Sequence, residues 1–468
     1  MKIQKICVYV MLSASMITTV ANAADKEGGL TPDVLSKVSS SYNNSAAARA
    51  IHNAISSTDI TTLAANQDAK NGNDTYFSHR VPSKGITDQK RSGRCWLFTG
   101  LNVIRSKAML EHKLPQITFS QSYNFFYDQL EKANLFLQGV IETGDKPIDD
   151  RLVQVLFKSP VSDGGQYTGI ADNLMKYGIV PTEVMAETFS TDNTSKLREL
   201  LNLKLREFGL ELRDMVAAKS KSKDIQARKV VMLSDVYRML ALAIGVPPQK
   251  FTWTRKDAAG NPIETKEYTP QSFYAEFVGD DLKNNYVMLM NDPTREYYKL
   301  YEIDYDRHTY DGENWTYINL PMDEIKKIAI NSIKDSTAMY FSCDVNKFID
   351  RKRGVLDINN YDYGSLFGVT FDMDKKQRII TGASASSHAM TLVAVDLDSN
   401  DTPKKWMVEN SWGNGANNGH LIITDEWFDN YMFRLVANKK YVSDEVLKIL
   451  KQKPTMLPAW DPMFADEQ

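Results

Sequence analysis

Residues 89–98 read QKRSGRCWLF, and the pattern of this stretch is the strongest local indication of the fold. Ser92 and Gly93 are typical turn residues, and Cys95 follows them directly. After Cys95, apolar side chains recur at nearly helical spacing, at Trp96, Leu97, Val103, Ile104 and Leu110. The pattern predicts a core helix with Cys95 in its first turn. Because a helix N-terminus favours the thiolate form of a cysteine, Cys95 is a candidate nucleophile.

Two residues much farther along the chain fit the role of its partners. His388 begins one predicted strand, and Asn410 ends the next. Two adjacent antiparallel strands would bring Asn410 beside His388, where the amide oxygen accepts the imidazole N–H. The other ring nitrogen is then left for the thiol of Cys95. The bulky ring of Trp412 would shield this hydrogen bond from water.

Gln89 stands six residues before Cys95. Its amide, together with the backbone N–H of Cys95, would donate to the oxyanion of a tetrahedral intermediate. The other common catalytic patterns are missing from the sequence. There is no C-x-x-C pair, no H-E-x-x-H and no Walker A loop, so we expect neither a metal nor another cofactor.

Taken together, these residues resemble the papain-type cysteine protease pattern. The chain is still more similar to the bleomycin hydrolase and aminopeptidase C family, and the similarity extends from about residue 75 to its end. It is carried by residues 89–98 and by four further motifs, Asp163-Gly164-Gly165-Gln166, Phe341-Ser342-Cys343-Asp344-Val345, His388-Ala389-Met390-Thr391-Leu392 and Trp460-Asp461-Pro462-Met463.

The resemblance implies an α+β fold with a papain-like core of two lobes. A helical lobe would carry Cys95, and a β-rich lobe would carry His388 and Asn410. Ordinary papain-like enzymes separate the Cys and the His by about 130–150 residues. The separation here is about twice that, which indicates helical insertions. The predicted segments are an N-terminal arm (24–75), the helical lobe (76–193), a helical insertion (194–250), the β-rich lobe (251–452) and an extended C-terminal arm (453–468).

The resemblance also implies a cysteine aminopeptidase that forms a homohexamer, with its C-terminal arm lying in the cleft. The catalytic residues would be Cys95, His388, Asn410 and Gln89, and the substrate-binding residues Gly164, Gly165 and Trp412. The last five residues, 464–468, depart from the small apolar ending of the family. Two alternatives therefore stay open, namely a cysteine endopeptidase with an open cleft and an inactive peptide-binding homologue.

Composition and the N-terminus bear on partners and location. Apolar residues make up 43 % and charged residues 25 % of the 468 residues, as in soluble globular proteins. The net charge of −3 gives no support to a nucleic-acid partner. Residues 1–23 resemble a signal peptide cleaved after Ala23, which predicts an exported protein, periplasmic or secreted, with no membrane attachment after cleavage. Cys95 and Cys343 are the cysteines that remain.

Overall fold

The computed structural model of the protein describes residues 28–70, 74–82, 84–461 and 463. The predicted signal peptide and the last five residues of the chain lie outside the described residues. The chain divides into two compact units, Met1–Ala64 and Ala65–Gln468. In the first unit the described residues form three short helices, α1 Pro32–Ser40, α2 Ala46–Ser57 and α3 Ile60–Ala64.

The second unit contains the remaining described helices. They are α4 Cys95–Glu111, α5 Gln121–Glu142, α6 Arg151–Lys158, α7 Tyr167–Tyr177, α8 Phe189–Asp192, α9 Ser195–Ala217, α10 Ser222–Ile244, α11 Pro270–Phe277, α12 Met322–Lys334, α13 Tyr363–Phe367, α14 Lys375–Ile380, α15 Ala416–Gly419, α16 Asp425–Tyr431 and α17 Asp444–Lys448. Helices α4, α5, α7, α9, α10 and α11 contribute buried side chains to one large apolar core, and α6 packs against it.

The strands of the second unit are β1 His79–Arg80, β2 Phe251–Lys256, β3 Pro262–Tyr268, β4 Tyr286–Met290, β5 Lys299–Ile303, β6 Thr316–Asn319, β7 Met339–Cys343, β8 Ile349–Asp350, β9 Val355–Leu356, β10 His388–Leu397, β11 Pro403–Glu409, β12 His420–Thr424, β13 Met432–Asn438 and β14 Thr455–Leu457. Strands β2 and β3 form a separate hairpin. The others form one sheet in the order β14-β5-β6-β4-β13-β7-β10-β11-β12-β9-β8, and β1 pairs with β10.

Helix α4 is the centre of the helical half, and the helix predicted from the sequence is confirmed. Trp96 and Leu97 are fully buried, and each burial stabilises the fold by about 1.5–3 kcal/mol. The helix is enclosed on nearly all sides, and its buried residues include the polar side chains of Thr99, Asn102 and Arg105. Leu110, part of the predicted apolar pattern, is instead 41 % exposed near the end of the helix.

Strands β7, β10 and β11 lie side by side and antiparallel at the centre of the sheet. Every residue of β7 and of β10 is buried, because helices cover these strands. His388 pairs with Cys343 of β7, and Thr391 pairs with Glu409 of β11. The strand predicted to begin at His388 is confirmed, and the strand predicted to end at Asn410 ends one residue earlier, at Glu409. Cys95 and Cys343 are both buried.

Candidate active site

Cys95 is the first residue of α4, so the thiol lies at the amino end of a helix. The side chain is 5 % exposed. Backbone N–H groups in the first turn of a helix have no partner within the helix, and the helix dipole places partial positive charge there. A nucleophilic thiolate and a developing oxyanion both gain from such a position.

The loop around Asp163 fixes the start of α4. The indole N–H of Trp96 donates to the Asp163 carbonyl over 2.9 Å, and the backbone N–H of Gly93 donates to the Asp163 carboxylate over 2.7 Å. A methyl group at Gly93 would lie only 2.7 Å from that carboxylate, so the close approach needs glycine. Burial raises the pKa of Asp163, but hydrogen bonds and Arg198 outweigh it and hold the pKa below its usual value.

His388 and Asn410 meet where two neighbouring strands lie side by side. His388 begins β10, and Asn410 directly follows the last residue of β11. Nε2 of His388 donates a hydrogen bond to Oδ1 of Asn410 over 2.8 Å, so Nδ1 keeps its lone pair. The ring of Trp412 stacks on the imidazole with centroids 4.8 Å apart. The indole therefore packs beside the hydrogen bond, and its role in shielding that bond from water stays a prediction.

The imidazole of His388 is held in its neutral form. Burial lowers the pKa of His388 to about 4, because desolvation disfavours the charged ring. The hydrogen bond to Asn410 acts in the opposite direction, and the positive charge of Arg351 lowers the pKa further. At pH 7 the ring can accept a proton, as a general base must.

Gln89 connects the Cys95 loop to the residue that follows Asn410. Its Nε2 donates to the carbonyl of Ser92 over 2.7 Å, and its Oε1 accepts from the hydroxyl of Ser411 over 2.6 Å. The two contacts define the orientation of the amide. One N–H of Nε2 engages Ser92, and the second is left to donate elsewhere.

Helix α4 packs against β10 and β7, so the elements that begin at Cys95 and His388 are in direct contact. Arg105 of α4 also forms a buried ion pair with Glu409, the residue before Asn410. The helical half and the sheet are thus joined next to the site by a charge pair as well as by apolar packing.

Gly164 and Gly165 line a cavity of about 220 Å³, together with Ala459 of the C-terminal segment. The carbonyl of Gly164 accepts a hydrogen bond of 2.6 Å from Nζ of Lys132. A side chain at Gly165 would overlap the rings of Trp96 and His308. The two glycines therefore present backbone to the cavity. Trp412 lies elsewhere, on a separate cavity of about 160 Å³ that Asn410 also lines.

Three features of this region were missed in the sequence. They are the contact from Ser411 to Gln89, the Arg105–Glu409 pair, and the buried cluster of Lys132, Asp128 and His308 behind Gly164. Each joins residues that are distant in the chain or stand on different elements. No short motif signals such pairs.

The described residues lack two kinds of feature, a metal site and a membrane-spanning helix. Within them, no group of His, Cys, Asp and Glu side chains is suited to hold a metal ion. Similarly, none of the described helices is long and apolar enough to cross a bilayer.

The chain is similar to several characterised proteins. It is 39 % identical over 398 residues to aminopeptidase C of Lactobacillus delbrueckii subsp. lactis, covering 84 % of this chain and 88 % of that one. It is 40 % identical over 400 residues to bleomycin hydrolase of Homo sapiens, covering 83 % and 88 %. The crystal structure of pepw from Lactobacillus rhamnosis superimposes with a TM-score of 0.91 at 37 % identity, covering 94 % of this chain and 100 % of that one.

These relatives correct one expectation. The sequence predicted an exported protein, periplasmic or secreted, and this prediction is wrong, because the relatives are intracellular aminopeptidases and bleomycin hydrolases. It rested on residues 1–23, which lie outside the described residues.

The expected fold is confirmed. The element composition and the superposition on pepw establish an α+β fold with a papain-like core. The profile of the Peptidase C1-like family matches residues 29–464, nearly the whole chain. The helix-borne Cys95, the strand-borne His388 and the 39–40 % identity to the relatives all agree with that match. The chain therefore belongs to the Peptidase C1-like family.

Proposed function

We propose that this protein is a cysteine aminopeptidase that removes residues from the N-terminus of peptides. The observation that carries the proposal is the hydrogen bond from Nε2 of His388 to Asn410, which leaves Nδ1 to serve the thiol of Cys95. The names of the relatives, aminopeptidase C and bleomycin hydrolase, support the same activity.

The reaction proceeds through an acyl-enzyme. The thiol of Cys95 attacks the carbonyl carbon of the first peptide bond and passes its proton to Nδ1 of the neutral His388 in the same step. The tetrahedral intermediate collapses as His388 gives this proton to the leaving amine, and the C–N bond breaks. His388 then takes a proton from water, the hydroxide attacks the thioester, and the free amino acid leaves as the proton returns to the Cys95 sulfur. Asn410 orients the imidazole throughout.

The oxyanion is stabilised by two donors. One is the backbone N–H of Cys95 at the start of α4, and the other is the second N–H of the Gln89 amide. The contact from Ser411 holds that amide in place before substrate arrives, so little reorganisation is needed during the reaction.

Selection for a free N-terminus is assigned to the C-terminal segment. Ala459 lines the same cavity as Gly164 and Gly165, and we propose that these two glycines bind the acyl side of the scissile bond. Asp461 forms an ion pair of 2.5 Å with Arg295, which ties the segment to the sheet half. In this arrangement the fixed segment would exclude peptides that extend more than one residue before the scissile bond.

The test compares two fluorogenic peptides that differ only at the N-terminus, one free and one acetylated. It is run in reducing buffer with Cys95→Ala as the control. The proposal expects hydrolysis of the free peptide alone and none by the control. Hydrolysis of both would establish the endopeptidase alternative. Peptide binding without hydrolysis of either would establish the inactive binding homologue.

We also propose that the protein assembles as a homohexamer. Helices α9 and α10 expose an unusual number of large apolar side chains, Leu200, Leu203, Leu210, Val230, Val231 and Leu242. A patch of this kind marks an interaction surface.

Light scattering after size exclusion should give six times the chain mass. Leu203→Glu combined with Leu242→Glu should lower this mass, whereas Ile148→Glu, an exposed position on neither helix, should leave it unchanged. A monomer in the unmodified protein would refute the assembly.

A further inference from the structure

The ring of Trp412 lies between the guanidinium of Arg351 and the imidazole of His388. It lies in the turn between β8 and β9, and its guanidinium carbon is 4.6 Å from the centre of the Trp412 ring. That ring stacks on His388. The guanidinium also donates to Oδ1 of Asn346 over 2.9 Å, so the side chain is held on two sides.

The contact of Arg351 with Trp412, and of Trp412 with His388, favours the leaving-group side of the scissile bond for Arg351. His388 must hand its proton to the leaving amine, so the second residue of the substrate passes beside the imidazole and the indole that covers it. Gly164 and Ala459, which are assigned to the acyl side in the proposed function, line a different cavity. Arg351 and Trp412 instead line the cavity of about 160 Å³ that Asn410 borders.

The charge of Arg351 has no neutralising partner among the described residues. Its side-chain contacts are the neutral groups of Asn346 and Trp412, and no described carboxylate lies within 4.0 Å of its guanidinium. The neighbouring carboxylate of Asp350 instead caps two backbone N–H groups and lies 3.7 Å from Arg353. The next residue, Lys352, is exposed and adds positive charge.

We propose that Arg351 selects peptides that present a carboxylate immediately after the scissile bond. The carboxylate is the side chain of an acidic second residue or the C-terminus of a dipeptide, because the guanidinium recognises the same group in both. Trp412 orients the guanidinium by stacking, and the uncompensated charge attracts the anion. This assignment rests on the proposed aminopeptidase function.

The experiment measures kcat/KM on matched substrates with the same N-terminal residue. Ala-Glu-Ala-amide is compared with Ala-Gln-Ala-amide, which has the same shape without the charge. A second pair, Ala-Ala and Ala-Ala-amide, distinguishes the C-terminal source of the carboxylate from the side-chain source. We expect at least one charged member to be preferred by about three- to tenfold, with the preference falling as salt rises to 1 M.

The variants assign this preference to one side chain. Arg351→Gln should bring the ratio within each pair to about one, and Arg351→Lys should retain part of the preference. Lys352→Gln removes an adjacent exposed charge and should leave the preference intact. Arg351 also influences His388, but an altered His388 changes both members of a pair alike and cancels in the ratio.

Equal rates on both pairs in the unmodified protein, or a preference that survives Arg351→Gln, would overturn the proposal. The same peptides are also titrated against Cys95→Ala, whose binding needs no turnover. If hydrolysis is absent from every peptide but Cys95→Ala binds the charged peptides more tightly through Arg351, the proposed function fails and the assignment of Arg351 stands. Equal binding constants there would refute the assignment as well.

Discussion

The hydroxyl of Ser411 donates a 2.6 Å hydrogen bond to Oε1 of Gln89, and the backbone N–H of Gln89 donates to the Ser411 carbonyl over 2.8 Å. A residue of the β-rich half thereby orients a side chain just before Cys95, the proposed nucleophile. The amide of Gln89 turns its nitrogen, not its oxygen, toward the Cys95 loop because its oxygen is already occupied.

Gln89→Ala should lower kcat/KM by about 10²–10³-fold, because it removes one of two oxyanion donors. The loss should fall mainly on kcat, since the donor acts on charge that develops in the transition state. Steady-state kinetics on a peptide with a free N-terminus gives both constants. A variant with unchanged kcat would show that Gln89 has no part in the chemistry.

Ser411→Ala should lower kcat by only about tenfold. The Gln89 amide remains as a donor in this variant and loses only its fixed orientation. The double variant with Gln89→Ala should be no slower than Gln89→Ala alone. If the two losses multiply instead, Ser411 acts through some other group.

The low pKa of His388 predicts that the enzyme remains active at acidic pH. The ring is neutral above about pH 4, so kcat/KM should hold as the pH falls to about 5 and decline as it passes through about 4. Arg351→Gln should move the decline to higher pH, because its positive charge lowers the pKa. Since the unfolded chain binds this proton more readily, the free energy of unfolding should also decrease as the pH falls from about 6.5 toward 4. A decline centred near pH 6.5 in the unmodified protein would contradict the burial of the ring.

Removing the charge of one partner in the Arg105–Glu409 ion pair should strongly lower the free energy of unfolding. Both side chains are 1 % exposed, so Glu409→Gln leaves a buried, uncompensated guanidinium. We expect a loss of about 3–5 kcal/mol in the free energy of unfolding, measured by urea denaturation. Replacing both residues by Met should recover much of the loss. A cost below about 1 kcal/mol for the single change would mean that water reaches the pair.

The ion pair between Asp461 and Arg295 should govern the choice between free and blocked peptides. Asp461→Asn loosens the C-terminal segment, so cleavage of the acetylated peptide should appear while cleavage of the free peptide continues. Glu199→Gln, which alters an exposed ion pair on α9, serves as the matched control. If Asp461→Asn leaves the acetylated peptide intact, the segment excludes it by other contacts.

The sequence predicted the individual elements of the site better than their connections. Cys95, His388 and Asn410 stand where a turn, a strand start and a strand end leave local patterns, and α4, β10 and β11 lie at the predicted places. The catalytic roles of these three residues stay predictions. The Arg105–Glu409 pair spans 304 residues of chain, and one sequence shows no sign of it.

The order of the strands in the large sheet could not be predicted from the sequence either. In the sheet β13 lies between β4 and β7, so neighbours in space are distant in sequence. The order of the strands depends on how the side chains of the whole sheet pack into the core. Local sequence patterns do not contain this information. Leu110 is a smaller example, because its spacing matched a core position but the end of α4 reaches solvent there.

The proposed mechanism requires Cys95 to carry an acyl group during turnover, and mass spectrometry of the quenched enzyme detects this group. The protein is mixed with an alanine ester, quenched in acid within the first turnovers and digested. We expect an alanyl thioester on the peptide that contains Cys95, none on the peptide that contains Cys343, and no turnover by Cys95→Ala. Turnover by Cys95→Ala at the unmodified rate, or an unmodified Cys95 peptide while alanine is released, would contradict it.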